Sequence, residues 1–181
     1  MTTFTRIFVL FLSAVAMSMS YADTTTADTE NNASHTETVQ TFYLVRHAEK
    51  QSDGTKNPHL TEQGHQRARY LAQHLSHANI TRIYSSDYHR TQETAKPLAD
   101  LLGLDVESYD PGQLVEFANT LKEKTGRILI VGHSNTTPDL TSLLSGKEID
   151  AMNESEYDNL YQVVSVNGVN EVTRLKIQPI Q

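Results

Sequence analysis

Thr41-Phe42-Tyr43-Leu44-Val45-Arg46-His47-Ala48-Glu49 is an apolar run that stops abruptly at a cation and an imidazole. Residues 41–45 are β-branched, aromatic or aliphatic, which suits a short strand buried on both faces. In an open α/β sheet, ligands bind beyond the carboxyl ends of the strands. The fold and the candidate site therefore hang on one question. Do other strands downstream also end in polar, chemically capable residues?

They do. A polar loop over 50–60 is followed by Thr61, an N-cap residue type, and then by Ala68, Leu71, Leu75 and Ala78 at helical spacing. The pattern predicts a helix over 62–78. Residues 82–85 read as a second strand, and 88–102 as a second helix ended by Gly103. Pro97 is expected to kink or split that helix. Residues 104–107 are a third strand candidate, and Asp110-Pro111-Gly112 is a turn. A third helix over 113–124 is stopped by Gly126. Arg127-Ile128-Leu129-Ile130-Val131 is the strongest strand of all. A short helix over 137–144 carries Pro138 near its first turn. Residues 160–166 and 171–177, joined through Asn167-Gly168, read as a closing hairpin.

Strands alternating with helices give an α/β fold, a single-domain three-layer sandwich around a mostly parallel central sheet. The polar residues just past its strands are Arg46 and His47, then Ser85 and Ser86 with Arg90, then Asp110, then His133. Two Arg and two His at one rim suit a phosphate dianion. Guanidinium groups match phosphate oxygens with paired donors. A neutral imidazole nitrogen can attack phosphorus.

The four segments that carry these residues resemble, in order, the motifs of the histidine phosphatase superfamily, the phosphoglycerate mutase-like family. Arg46-His47-Ala48-Glu49 is similar to its Arg-His-Gly/Ala signature, and Leu60-Thr61-Glu62-Gln63-Gly64 to its next segment. Ser85-Ser86-Asp87-Tyr88-His89-Arg90-Thr91-Gln92-Glu93-Thr94-Ala95 resembles its Ser-x-x-x-Arg-x-x-x-Thr-Ala block. Val131-Gly132-His133-Ser134 resembles the segment with its second His. The resemblance spans residues 41–144. It implies a phosphoglycerate mutase-like fold and a phosphatase working on a phosphorylated substrate. His47 would take the phosphoryl group, and Arg46, Arg90 and His133 would hold it. No metal or organic cofactor would be needed. The family's proton donor to the leaving oxygen has no unmistakable counterpart. Asp110 is chosen because it follows a strand, with Glu116 and Glu107 as rivals and Glu49 close to His47 in sequence. The short chain leaves little room for a cap domain, and resembles compact bacterial phosphohistidine phosphatases and periplasmic members linked to lipopolysaccharide.

Each of these residues alone has an ordinary explanation. Arg46 could form a surface ion pair, Arg90 could be an exposed helix residue, and His133 could be a hydrogen-bonded core residue. Four ordered motifs displace those readings. Asp110 before a proline still reads equally as a turn residue. Gly132-His133-Ser134 resembles a serine hydrolase elbow, but position 136 is Thr where that pattern needs Gly. His74 and His77, with His59 and His65 nearby, lack a third ligand at convincing spacing, so no metal site is expected there. A non-catalytic phosphate-binding module would keep both Arg residues without needing an acid, and stands as the alternative function.

The rest of the chain bounds the setting. Of 181 residues, 15 are Lys or Arg and 22 Asp or Glu, giving a net charge of -7, and the mean hydropathy is -0.46. That balance speaks against nucleic acid as a partner. Residues 1–22 read as a signal peptide: Arg6, then a short apolar run over 7–16, then Ser20-Tyr21-Ala22 with small residues flanking Tyr21. The run is too short for stable membrane insertion. Residues 23–40 are polar and read as a disordered leader, with the catalytic domain over 41–181. There is no Cys, which excludes disulfides and thiolate metal sites. Asn32, Asn79, Asn135 and Asn153 each begin an Asn-x-Ser/Thr triplet. A glycan at Asn135 would block the candidate site, which favours a secreted, periplasmic setting over a glycosylating one.

Overall fold

The computed structural model describes residues 38–178. The segments read from the sequence as a signal peptide (1–22) and, for the most part, as a leader (23–40) lie outside the described residues. The chain order is β1 (Val39–Arg46), α1 (Glu62–Leu75), β2 (Arg82–Ser86), α2 (His89–Leu102), β3 (Val106–Tyr109), α3 (Leu114–Lys122), β4 (Gly126–Gly132), α4 (Thr136–Ser145), β5 (Asn159–Val166) and β6 (Val169–Lys176). The six strands form one sheet in the order β3-β2-β4-β1-β5-β6. β3, β2, β4 and β1 run parallel, and the β5–β6 hairpin is added antiparallel on β1.

Helices cover both faces, as a sheet buried on both sides requires. On one face Leu71, Ala72 and Leu75 of α1 and Ala95, Leu98 and Ala99 of α2 pack on Val45, Ile83, Leu129 and Val131. On the other, Ala118 and Leu121 of α3 and Leu140 and Leu144 of α4 pack on Phe42, Leu44, Ile128 and Ile130. The alternation along β1 and β4 thus feeds two cores at once. The three-layer sandwich expected from the sequence is the observed architecture.

The register aligns the strand ends. Arg46 pairs with Gly132, Ser85 with Val131, and Ser86 with Tyr109. Residues that follow β1, β2 and β4 therefore emerge at one level of the sheet edge.

Several boundaries differ from the sequence reading. β1 starts at Val39, so residues 39 and 40 belong to the domain and not to the leader. Val39 and Gln40 pair with Val166 and Ser165, and the Gln40 amide donates to the carbonyl of Lys122 at 2.8 Å. α1 stops at Leu75, three residues early, with Ser76 as C-cap. β3 lies two residues later than expected. As an edge strand it is largely exposed, so apolar content did not mark it. α2 runs unbroken through Pro97, where the burial of Ala95, Leu98 and Ala99 offsets the lost backbone bond. Gly126 opens β4 and does not cap α3, which ends at Lys122. The hairpin turn is as expected, with φ of 52° at Asn167 and 83° at Gly168, the left-handed pair that a two-residue type I′ turn needs. Among the described residues no helix is long and apolar enough to cross a membrane.

Candidate active site

His47 follows β1 and is almost fully buried, at 3% exposed. Its backbone N–H donates to the Gly132 carbonyl at 2.9 Å. Its Nδ1 lies 2.7 Å from the Ala48 carbonyl. A carbonyl only accepts, so the ring proton sits on Nδ1 and Nε2 keeps its lone pair. The Ala48 N–H donates to Thr94 Oγ1 at 2.9 Å, and Thr94 Oγ1 donates to the Arg90 carbonyl at 2.7 Å. The turn after β1 is thereby tied to α2, the helix that carries Arg90. This gives the Thr94 of the third motif a structural reason.

The second motif also has one. The Thr61 hydroxyl caps α1 by accepting the Gly64 N–H at 3.1 Å, and the Thr61 N–H donates to the Glu49 carbonyl at 2.9 Å. A Cβ on Gly64 would stand 2.2 Å from that same carbonyl oxygen. Thr61 and Gly64 therefore clamp the residues just after His47 against α1.

His133 follows β4. Its backbone N–H donates to Thr136 Oγ1 at 3.0 Å, and its Nε2 is hydrogen-bonded to Ser86 Oγ at 2.8 Å. The His47 and His133 rings meet edge to face with centroids 5.5 Å apart. The edge of Tyr88 packs on His133 at 5.1 Å. Gly132 has no room for a side chain, since a Cβ would come within 2.8 Å of the Tyr109 hydroxyl.

Two guanidinium groups complete the set. Arg90 lies over the Tyr88 ring at 4.3 Å, and Arg46 over Tyr157 at 4.3 Å. Arg46 Nη1 donates to the carbonyls of Glu154 at 2.7 Å, Glu156 at 3.2 Å and Asn153 at 3.3 Å. Its Nη2 meets the Glu154 carboxylate at 2.5 Å. Buried donors are ordinarily paired. Yet Arg46 Nε, Arg90 Nε and Arg90 Nη1 are buried without a hydrogen-bond partner among the described residues.

These groups face a cleft of about 410 Å³, lined also by Lys50, Ser134, Asn135 and Thr136. Asn135 and Thr136 form the uncapped N-terminus of α4, which adds a partial positive charge. The cleft is thus cationic in a chain of net charge -7. Among the described residues its one carboxylate is Glu154, which also accepts a hydrogen bond from the Ser134 hydroxyl.

That electrostatic setting keeps both imidazoles neutral. Burial lowers the pKa of His47 to about 3; the bond to the Ala48 carbonyl opposes the fall, while Arg46, His133 and Arg90 add to it. Burial, then Arg90 and Arg46, lowers His133 to about 4. Burial also lowers Arg90. The Ser134 hydroxyl holds Glu154 below the usual carboxylate range; burial opposes this, and Arg46 and Lys50 add to the lowering. The resting site therefore presents a neutral nucleophilic nitrogen and an ionised carboxylate.

Of the five residues singled out in the sequence, Arg46, His47, Arg90 and His133 converge here. Asp110 does not. It is exposed, its carboxylate accepts the Gly112 N–H at 2.8 Å, and it lines a neighbouring hollow with Asp87 and Ser108. The tight turn through Pro111 folds the side chain back on its own backbone, although Pro111 and Gly112 do reach the cleft. Glu107 is exposed and pairs with Arg82 at 3.8 Å, and Glu116 is exposed on α3. Glu49 is held by Arg67 through three contacts of 2.7–3.0 Å. Glu154, Tyr88 and Tyr157 were not singled out by sequence reasoning. His74 packs against Tyr70, with ring centroids 5.1 Å apart. The candidate metal-ligating group among the described residues is His59, His89 and Glu93, outside the cleft.

The sequence profile of the histidine phosphatase superfamily (branch 1) matches residues 42–112, the stretch that carries Arg46, His47 and Arg90. Over those residues, about two fifths of its length, the chain is similar to the histidine phosphatase superfamily. Among curated relatives, "Probable phosphoglycerate mutase GpmB" of Enterobacter sp. (strain 638) is 41% identical over 70 residues, 35% of this chain and 33% of that protein. The Yersinia pestis (strain Pestoides F) protein of the same name is 44% identical over 68 residues, 34% of this chain and 32% of its own. The chain thus spans about a third of the length of the curated relatives it matches. Among solved structures, the protein histidine phosphatase SixA complexed with tungstate aligns with a TM-score of 0.62 at 19% identity, over 75% of this chain and 96% of that one. The phosphoglycerate mutase of Bacillus anthracis str. Sterne aligns with a TM-score of 0.59 at 15% identity, over 77% and 93%. The sheet and its four helices are the phosphoglycerate mutase-like fold. The alignments extend over nearly the whole of those two solved chains.

Proposed function

We propose that the protein is a phosphatase that hydrolyses phosphomonoesters through a phosphohistidine on His47. The observation that carries the reading is the tautomer of His47. Its Nδ1 proton is fixed on Ala48, so Nε2 is a neutral nucleophile whose basicity burial has already lowered. The unpaired donors of Arg46 and Arg90 supply what three phosphoryl oxygens need. In the first step Nε2 attacks phosphorus, the P–O bond to the alcohol breaks, and the alcohol oxygen takes a proton. In the second, water attacks the phosphohistidine, the P–N bond breaks, and inorganic phosphate leaves.

Glu154 is the best-placed proton donor in this reading. A bound phosphate would draw Arg46 away from it and set a dianion beside it. Both changes raise a carboxyl pKa. The same residue could then receive the proton from the attacking water. Hydrolysis is favoured over mutase transfer because the cleft is open and, among the described residues, no cap segment excludes water from it. The signal peptide read over 1–22 supports export, which removes the protein from cytoplasmic phosphoglycerates.

The test is release of phosphate from p-nitrophenyl phosphate in EDTA by the wild type and by His47→Ala, with acid-labile and base-stable protein phosphorylation as the second readout. Turnover and labelling in the wild type alone support the mechanism. Equal turnover by both would overturn it. Binding of phosphate without turnover or labelling would return the protein to a phosphate-binding role.

A further inference from the structure

We propose that His59, His89 and Glu93 form a binding site for one divalent transition-metal ion of the Zn2+ class. The site lies outside the catalytic cleft and would staple the loop over residues 50–60 to the first turns of α2.

His89 and Glu93 stand four apart on α2, so they project from one face of the helix. His59 reaches them from the loop before α1. The potential ligand atoms of the three side chains all lie within 4.8 Å of one another. Ligands about a tetrahedral Zn2+ lie roughly 3.3 Å apart, given bonds of about 2.0–2.1 Å. Closing that gap takes rotation of two exposed imidazoles. Their rings are already stacked, 4.2 Å between centroids and 10° from parallel.

The supports behind the three side chains are in place. Glu93 Oε2 accepts the Leu60 N–H at 2.8 Å, which leaves Oε1 for a ligand role, and Oε1 already meets His59 Nδ1. The proton shared in that contact occupies the position a cation would take. The His89 N–H donates to Asn57 Oδ1 at 2.9 Å, and the His59 carbonyl accepts the Gln51 N–H at 2.8 Å. Anchored backbones and a hydrogen-bonded carboxylate are the outer supports that orient metal ligands.

An exposed His–carboxylate ion pair would account for His59 and Glu93 only, and such surface pairs contribute little to stability. It gives no reason for a second imidazole at the same point. Two nitrogens and one oxygen suit Zn2+, Co2+, Ni2+ or Cu2+ and do not suit Mg2+ or Ca2+, which take oxygen shells. Three protein ligands leave a coordination position for water. The ion's effect would be on order. Lys50 at the cleft rim and Arg90 beside His89 are carried by the two segments it would join.

The experiment is a Co2+ titration of the full chain, purified without a polyhistidine tag and stripped of metal, followed by visible d–d absorption and by thermal unfolding. The wild type should bind a single equivalent and gain stability. His89→Ala and Glu93→Gln, both substitutions of side chains that leave the core intact, should weaken binding by at least about tenfold. His47→Ala should bind as the wild type does. Zn2+ should displace the cobalt. Absence of absorption at millimolar cobalt in the wild type would overturn the proposal. So would unchanged binding in His89→Ala and Glu93→Gln, or loss of binding in His47→Ala, which would put the ion in the cleft.

Discussion

His47 Nδ1 faces the carbonyl of Ala48, its own neighbour in sequence, at 2.7 Å. The bond closes within the turn, so nothing farther away is needed to choose the tautomer. What distant segments supply is burial and positive charge, which hold the pKa near 3. The unfolded chain binds a proton at an ordinary histidine pKa of about 6.5. Between pH 6.5 and 3 the unfolded state therefore carries the extra proton. Stability is full above pH 6.5 and falls as the pH drops through that window, by up to about 1.4 kcal/mol per pH unit from His47 alone. Urea midpoints of the wild type and His47→Gln at pH 7 and pH 5 check this. The wild type should lose roughly 1.5–2 kcal/mol more than the variant on acidification. Parallel losses would mean that His47 is not held neutral.

Arg90 is the next consequence of a site built before its ligand arrives. Two of its buried donors lack partners, and its charge adds to that of Arg46. Such a group costs stability when the site is empty. Arg90→Met should keep the stem packed and raise the unfolding midpoint without phosphate, by an amount on the order of 1 kcal/mol. Inorganic phosphate should stabilise the wild type and leave the variant unmoved. Differential scanning fluorimetry across a phosphate series reads both effects. A variant less stable than the wild type in every buffer would make Arg90 a structural residue.

The four converging residues were legible because each follows a strand or opens a helix after one, and the register brings those ends to one level. Val45, Val131 and Ile83 announce their strands by continuous apolar content. β3 does so poorly, since Glu107 and Ser108 of this edge strand are exposed and polar, and the position of Asp110 was read from it. Strand order alone could not show that the Asp110-Pro111-Gly112 turn folds its carboxylate back onto Gly112. Glu154 was illegible for a different reason. It lies in the segment between α4 and β5, which has no periodicity, and only its contacts with Arg46 and Ser134 bring it to the cleft. Lys50 could be read as part of the polar loop over 50–60 and no further.

Glu154 and Asp110 make opposite predictions. With Glu154→Gln, the proton donor is gone but Arg46 is released from a competing carboxylate. Turnover of alkyl phosphates should fall by about 100-fold or more, p-nitrophenyl phosphate should be affected far less, and inorganic phosphate should inhibit more tightly. Asp110→Asn should leave all three close to wild type. Steady-state rates on a series of leaving groups decide it. A leaving-group-dependent loss in Asp110→Asn, with none in Glu154→Gln, would restore Asp110 as the acid.

Gly64 tests how the site depends on a residue that never touches substrate. A methyl group there would sit 2.2 Å from the Glu49 carbonyl oxygen, and 3.2 Å from the Glu49 nitrogen. The nearest atoms are all Glu49 backbone, which leaves no flexible side chain to yield. α1 or the turn after His47 must shift, and the turn is also held by Ala48 on Thr94 and by Glu49 on Arg67. Gly64→Ala raises helix propensity by about 1 kcal/mol, so propensity alone predicts a more stable protein. Overpacking against backbone typically costs about 1–3 kcal/mol and should prevail. The expected result is a lower unfolding midpoint together with a fall in kcat, since a displacement of about 1 Å at the nucleophile can cost roughly 100-fold. Thr61→Ala, which loses the cap and makes no clash, should lower stability by about 1 kcal/mol with a smaller effect on kcat. If Gly64→Ala were as stable and as active as the wild type, α1 would not be what clamps the turn, and the hydrogen bond from Ala48 to Thr94 would have to hold His47 in place by itself.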